Sequence, residues 1–422
     1  MFTALPRTFR ALRYRNFRLF FIGQGLSLTG TWLQQLAMGW LTYKLTGSAW
    51  LLGVVAFCGN AGILLFGTFA GVVADHVRRR RGLRITQSLA LLQAVVLAGL
   101  TWSGHIAVWH LIVLALWLGV VTAFDVPLRQ SLSVHLVEDR ADLANAIALN
   151  SFLVNAARVI GPALGGLLLA VVSEAVCFAL NALSFVAVIV AIGRMRWANE
   201  PPPVAWRGGF WSTWAEGYHF VSGFAPARAM LALVAVLSWT ISPYSALMPI
   251  YAMDIFGGGP HTLGFLLAAA GAGALASTLY LAGRATIRGL GRVIAGSALA
   301  CGVALAAFAY LTVFPLSLLL MVVIGGGVIL TAAAVNTILQ TIVPDRLRGR
   351  VAGFFTLAFL GVAPLGNLAA GALADAIGVQ ATFALNGLLA TAAALWFWRV
   401  LPTLRALMRS TYARLGIITG ES

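Results

Sequence analysis

The stretch Ala70-Gly-Val-Val-Ala-Asp-His-Val-Arg-Arg-Arg-Arg-Gly-Leu-Arg84 compresses one aspartate and five arginines between two long apolar runs. Arginine is costly inside hydrocarbon and accumulates on the cytoplasmic side of membrane proteins, so a charged knot in this setting reads as a cytoplasmic turn between two spans. The rest of the 422-residue chain agrees: 60% of it is hydrophobic and 9% charged, and the mean hydropathy is +0.92. A water-soluble domain with that surface would aggregate.

The net charge of +16 does not point to nucleic acid. A soluble nucleic-acid binder gathers its basic residues into a patch on a polar surface, whereas here they are scattered between apolar runs. Only Lys44 among the 28 basic residues is lysine. Cys58, Cys177 and Cys301 each lie inside an apolar run, without the spacing of a metal site, and read as small core hydrophobes. Arg7, Arg10, Arg13, Arg15 and Arg18 precede an apolar run over 17–43, too long for a signal-peptide core, which is expected to stay as an uncleaved first span.

About 20 apolar residues cross a bilayer as a helix. Cutting the chain at its polar breaks predicts twelve spans, near 17–43, 49–74, 83–103, 107–129, 143–171, 175–194, 226–252, 262–284, 290–312, 315–340, 351–374 and 381–401. Arginines occupy the N-terminus, the tail and alternate connections, while the opposite connections hold only Lys44. Both termini are therefore expected in the cytoplasm.

The chain also repeats itself. Phe178-Ala-Leu-Asn-Ala-Leu183 recurs as Phe383-Ala-Leu-Asn-Gly-Leu388, and Val137-Glu-Asp-Arg140 as Val343-Pro-Asp-Arg346, all at an offset of about 205–212 residues, half the chain. A parallel repeat of six spans implies two six-helix bundles, the architecture of a secondary transporter. The expected division is residues 1–196 for the first bundle, 197–225 for a cytoplasmic linker, and 226–422 for the second bundle and tail. In the linker, prolines Pro201 to Pro203 forbid a helix, after which Phe210, Trp211, Trp214 and Tyr218 share one helical face suited to the membrane interface.

These residues carry a resemblance to the major facilitator superfamily. Gly71, Asp75, Arg79 and Arg80 match its cytoplasmic 2–3 loop motif, with His76 where arginine is usual and Arg78 where the general motif has glycine. The Arg78 departure resembles the branch of the enterobactin exporter and related drug-efflux carriers. So do Gly30-Thr-Trp32 with Leu45-Thr-Gly-Ser48, Ala123-Phe-Asp-Val-Pro-Leu-Arg-Gln-Ser131, Asn155-Ala-Ala-Arg-Val-Ile-Gly-Pro-Ala-Leu-Gly-Gly166 and Glu216-Gly-Tyr218. The resemblance covers nearly the whole chain. It implies an all-α membrane protein of twelve helices in the bacterial inner membrane, monomeric, exporting small amphipathic molecules in exchange for protons. Many members carry an acid in place of Thr31, so the expected proton carrier of span 1 is missing.

Ionisable groups near or inside spans become functional candidates on the cost of burying them. Asp125 and Arg129 sit at i, i+4 spacing at the end of span 4. With Gly71, Asp75, Arg78, Arg79 and Arg80 they are expected to form a cytoplasmic latch, Asp125 meeting the loop arginines and Asp75 facing the start of span 11 near Arg350 and Gly353. The alternative is that these charges only set topology. Arg158 lies deeper, with Asn155 one turn before it and the helix-bending set Gly161, Pro162, Gly165 and Gly166 after it. This suggests either an anion-binding group or a guanidinium satisfying carbonyls of a locally opened backbone.

The resemblance implies a cavity lined by spans 1, 4, 7 and 10. On span 1, Gln24, Thr31, Gln35 and Met38 recur at helical spacing as a stripe; Gln24, Thr31 and Gln35, with Trp239, Tyr244 and Tyr251 on span 7 and Asn336 and Gln340 on span 10, are then substrate or coupling candidates, interhelical hydrogen bonding or packing being the alternative. The six histidines show no metal-ligand pairing, and no serine or cysteine lies in a nucleophile motif. Gly325 to Gly327 lack the lysine of a phosphate loop. Neither an enzyme, a cofactor nor a metal is expected, and a gradient is left as the energy source. A lipid or metabolite carrier, or a non-transporting sensor, remains possible on the same fold.

Overall fold

The computed structural model describes residues 7–196, 210–284 and 286–414, and its regular structure among them is entirely helical. A short 3-10 turn, Arg7–Arg13, leads into α1 (Arg15–Thr46), α2 (Ala49–His76), α3 (Arg79–Trp102), α4 (Val108–His135), α5 (Leu143–Leu169) and α6 (Glu174–Arg194). The second half holds α7 (Phe210–Gly223), α8 (Ala225–Ile241), α9 (Pro243–Ile250), α10 (Pro260–Ala282), α11 (Leu290–Phe308), α12 (Phe314–Ile342), α13 (Asp345–Thr356), α14 (Val362–Ile377) and α15 (Val379–Arg414). Two π-helical turns, Tyr251–Ile255 and Leu357–Gly361, follow α9 and α13.

Local chemistry sets the boundaries. α1 ends because Gly47 adopts a left-handed conformation at φ 60°, its N–H returning to the Tyr43 carbonyl. The next residue, Ser48, caps α2 by accepting from the Leu51 N–H at 3.3 Å. Between α2 and α3 the chain turns through extended Val77 and non-helical Arg78, and α3 starts on the arginine run.

Eleven stretches among the described residues are long and apolar enough to cross a membrane. Two of them join several elements, Ala225–Ile255 through α8, α9 and a π turn, and Arg346–Ile377 through α13, a π turn and α14. The remaining long helix is α1, whose 32 residues span about 48 Å at 1.5 Å per residue. It falls short in apolarity because it carries Gln24, Ser27, Thr29, Thr31, Gln34 and Gln35. Several of these face protein: Gln24, Ser27 and Gln34 are buried.

The chain forms two compact units, Met1–Trp206 with Met248–Ala268, and Arg207–Leu247 with Ala269–Ser422. Within the first, α2 packs on α4, α1 on α5 and α6, and α3 on α6 and α4. Within the second, α11 packs on α12 and α15, and α8 on α14 and α15. Phe17, Phe20, Leu83, Leu128, Leu132, Leu149 and Ile192 make the core at the arginine-rich end of the first unit. There Asn16 exchanges two hydrogen bonds with the backbone of Arg196, at 2.8 and 3.0 Å, tying the start of α1 to the exit of α6.

The sequence repeat reappears as repeated packing. Helices in a membrane associate through close packing, since lipid tails are as apolar as side chains, and glycine lets backbones approach. In the first unit a Cβ on Gly62 of α2 would strike the Gly119 backbone of α4; in the second, a Cβ on Gly273 of α10 would strike the Val322 and Gly326 backbones of α12. Likewise Gly161 of α5 lies against Trp32 and Thr29 of α1, and Gly366 of α14 lies against the Trp239 backbone of α8. Each pair recurs at the offset seen in the sequence.

Candidate functional site

The arginine-rich turn positions α3 against α4. Gly82 of α3 leaves room for the Leu128 methyls, which an added Cβ would meet at 2.9 Å. Arg79, at the first residue of α3, donates Nε to Ser131 Oγ of α4 at 2.7 Å. Two turns further along α3, Thr86 Oγ1 and Gln87 Nε2 both donate to Asp125 Oδ1, at 2.7 and 2.8 Å. Arg129 approaches the other carboxylate oxygen of Asp125 at 4.0 Å and donates Nη1 to Gln24 Oε1 at 3.2 Å, reaching α1.

Of the expected latch, the structure therefore joins Asp125 with Arg129 and ties Arg79 to the same helix. The loop arginines were expected to meet Asp125 directly; Arg79 instead takes Ser131, and the Asp125 carboxylate is held by the hydroxyl and amide of α3. Arg78 is exposed and Arg80 half-buried. No neighbour crowds a Cβ placed on Gly71. The side chain of Asp75 lies outside the described part of the structure. Arg350, expected beside it, pairs with Glu216.

Arg158 lies in mid α5 with its guanidinium over the Trp32 ring of α1, 5.2 Å from the centroid. Both residues are half-buried. The backbone opening expected beside Arg158 does not occur, for α5 is unbroken from Leu143 to Leu169 with Pro162 inside it. Gly161, Gly165 and Gly166 serve as contact points instead: Gly161 on Trp32, Gly165 on Leu33, and Gly166 against the backbone of Gly264. Asn155 spends its amide on the Ser151 carbonyl of its own helix, at 2.9 Å.

Thr31 returns its hydroxyl to the Ser27 carbonyl at 2.8 Å, and Gln35 is exposed while Gln34 is fully buried. Gln24 is buried too, with Nε2 unpartnered among the described residues. Tyr251 is fully buried in the first unit; in the second, Trp239 is exposed, and Tyr244, Asn336 and Gln340 are half-buried.

Several polar contacts were not legible beforehand. Gln34 Nε2 donates to Gln93 Oε1 at 3.0 Å, Asn181 Nδ2 donates to Gln34 Oε1 at 2.8 Å, and Gln93 Nε2 donates to the Leu114 carbonyl at 3.2 Å, so one buried network joins α1, α3, α4 and α6. At the far end of α1, Tyr43 donates to Asp254, and Lys44 pairs with Glu174 at 2.8 Å. Asp142 accepts from Arg13 at 2.8 Å and from the Tyr14 hydroxyl at 3.1 Å. In the second unit Glu216 of α7 pairs with both Arg346 and Arg350 of α13. Only the last had a sequence signal, in Glu216-Gly-Tyr218. Of the linker, residues 197–209 lie outside the described residues, and α7 covers Phe210–Gly223.

Comparison with known proteins bears on what this arrangement does. The family described as transmembrane secretion effector matches residues 7–414. The staphyloferrin A transporter of Staphylococcus aureus is 26% identical over 374 residues, 88% of this chain and 92% of its own length. The multidrug efflux pump Tap of Mycolicibacterium fortuitum is 28% identical over 365 residues, 84% of this chain and 88% of its own. Among solved structures, a POT family transporter in complex with a thioalcohol conjugated peptide superposes with a TM-score of 0.74 at 12% identity, covering 92% of this chain and 96% of its own. A bacterial homologue of the human lysosomal transporter Spinster gives a TM-score of 0.65 at 13% identity, covering 96% and 99%. At such identities the last two speak for the fold alone.

Proposed function

The chain belongs to the transmembrane secretion effector family within the major facilitator superfamily, and from that premise we propose that it exports small amphipathic molecules, siderophore-like or drug-like, by alternating access in exchange for protons. It is a multi-pass membrane transporter and not an enzyme. The observation that carries the finer reading is the alignment over 84–88% of the chain with a siderophore transporter and a multidrug efflux pump.

In this reading α1 is the twelfth span, its polar residues facing protein and substrate and not lipid. The alternation of arginines supports a bacterial inner-membrane protein with both termini cytoplasmic, the division 1–196, 197–225 and 226–422, and α7 lying at the cytoplasmic interface. The protein works as a monomer. Asp125, Arg129 and Arg79, with Gly71, Asp75, Arg78 and Arg80, fix the cytoplasmic ends of α2, α3 and α4. Gln24, Thr31, Gln35, Asn155, Arg158, Trp239, Tyr244, Tyr251, Asn336 and Gln340 supply polar and aromatic contacts for substrate or coupling, and Gly161, Pro162, Gly165 and Gly166 let α5 pack and bend as the carrier moves.

Expression in a bacterium stripped of its main efflux pumps tests the substrate class. Raised resistance to at least one amphipathic drug, or secretion of a new amphipathic metabolite, is expected from the wild-type chain. A panel of both kinds with no change at confirmed membrane expression contradicts export of this class.

A further inference from the structure

We propose that the crossing of α3 and α6 at the arginine-rich end of the first unit binds an anionic phospholipid, with Arg81, Arg84 and Arg194 holding its phosphate. α3 packs on α6 through Ala90, Ala94, Ala182 and Phe185. At the end of that seam the Arg84 guanidinium reaches across to α6, where a Cβ built on Gly193 would meet its Nη2 at 3.6 Å. Arg194 follows directly in sequence, and Arg81 lies one turn before Arg84 on α3. Arg81 and Arg194 are exposed and Arg84 is half-buried. Among the described residues none of the three has a carboxylate partner. Like charges gathered at one helix crossing repel, and a bound anion relieves the repulsion.

The surface beside these arginines decides the kind of anion. Steps of three and four residues from Arg84 along α3 lead to Ser88, Leu91 and Val95, and the same steps back from Gly193 along α6 lead to Val190 and Val186. Both rows therefore follow the seam on the side where Arg84 meets Gly193. Val95, Val186 and Val190 are exposed on helices that cross the membrane, so hydrocarbon covers them. A soluble anion would meet the guanidiniums alone. A phospholipid meets both, its acyl chain along the valines and its phosphate on the planar N–H forks, and anionic headgroups attract arginines placed just outside the hydrocarbon. The second unit shows the equivalent place covered. There α15 continues to Arg414 and lays Leu401 and Arg405 against Gly291 at the start of α11, whereas α6 ends at Arg194 and does not extend over the start of α3. The site depends on the membrane setting and not on what the carrier exports.

The test titrates the full chain in detergent with phosphatidylglycerol or with phosphatidylcholine of the same acyl chains, and reads the first bound lipid by native mass spectrometry. Wild-type protein is expected to bind phosphatidylglycerol about fivefold more tightly. Neutralising two of the arginines, Arg84→Gln with Arg194→Gln, should bring the two lipids within about twofold of each other and leave phosphatidylcholine unchanged. Arg399→Gln removes an exposed charge from α15 and should keep the full preference. Equal binding of both lipids by wild type overturns the proposal, as does a preference that survives in the double variant or is lost as fully in Arg399→Gln. If the double variant is not monodisperse, Arg194→Gln alone decides: it should cut the preference about twofold, and an unchanged preference overturns the site. Inorganic phosphate added at constant ionic strength should not displace phosphatidylglycerol; displacement would assign these arginines to a soluble anion and overturn the lipid reading.

Discussion

Thr86 of α3 donates its hydroxyl to Asp125 of α4 across 2.7 Å, and Gln87 reaches the same oxygen from the next position of α3. Asp125 is buried, and while Thr86 can fall back on the Leu83 carbonyl at 3.1 Å, the Gln87 amide loses its acceptor in Asp125→Ala, at about 1–3 kcal/mol for a buried group. We expect a fall in stability of about 1–3 kcal/mol in denaturant titration of detergent-solubilised protein, with Asp125→Asn milder because an amide keeps an acceptor oxygen. Equal stability of Asp125→Ala and wild type would remove this carboxylate from the account.

The glycine crossings predict a matched pair of defects. Gly62→Ala drives a methyl into the Gly119 backbone and Gly273→Ala into that of Val322, and main chain cannot swing aside as a side chain can. Each should cost about 1–3 kcal/mol as an overpacking substitution. Gly296→Ala, where the added methyl meets nothing within 4 Å, should be neutral or slightly stabilising. Thermal unfolding of the three variants side by side checks the ranking.

The Gln34, Gln93 and Asn181 network should behave as one unit. Asn181→Leu removes a donor to Gln34 and also the neighbour of Ser184, whose hydroxyl bonds the Asn181 side chain at 2.9 Å. Interhelical hydrogen bonds in membranes average about 0.6 kcal/mol and reach about 1.7 in double-mutant cycles. A cycle of Asn181→Leu with Gln34→Leu is expected to show coupling of about 1 kcal/mol, measured by denaturant titration; additive effects would mean that the network carries no shared energy.

Glu216 joins α7 to α13 through two arginines, and Gly217 lets α7 lie against Arg350 and Phe354. The pairs are partly exposed, so Glu216→Gln should change global stability by less than about 1 kcal/mol. Its effect should be local: faster amide hydrogen exchange in α7. Glu216→Arg should loosen α7 further, and adding Arg350→Glu should restore part of the protection.

Hydropathy made the spans legible because bilayer thickness imposes one length on every helix, and the Phe-Ala-Leu-Asn signature made the repeat legible because both copies pack alike. α1 shows where such reading thins. Its amides depress its hydropathy, and which of them faces protein depends on helix rotation: Gln35 fits the periodic stripe, yet Gln34 is the residue that Gln93 and Asn181 engage. Partners on other helices leave no mark at fixed spacing. The same holds for Asp125, whose i, i+4 relation to Arg129 was readable while its shorter bonds to Thr86 and Gln87 were not. At Arg158 the glycine and proline after it suggest an opened backbone, but α5 stays helical through Pro162; one of the two π turns falls at Leu357–Gly361 in the second half, where Ser238 donates to the Phe359 carbonyl.

Proton-coupled export is most directly tested in proteoliposomes holding the purified chain, an imposed pH difference and a pH-sensitive dye, to which an amphipathic substrate identified by the resistance or secretion assay is added. The account predicts substrate-dependent proton movement down the gradient together with substrate movement in the opposite direction, both absent from empty liposomes. Substrate movement that proceeds at the same rate with and without the pH difference, and moves no protons, would contradict it.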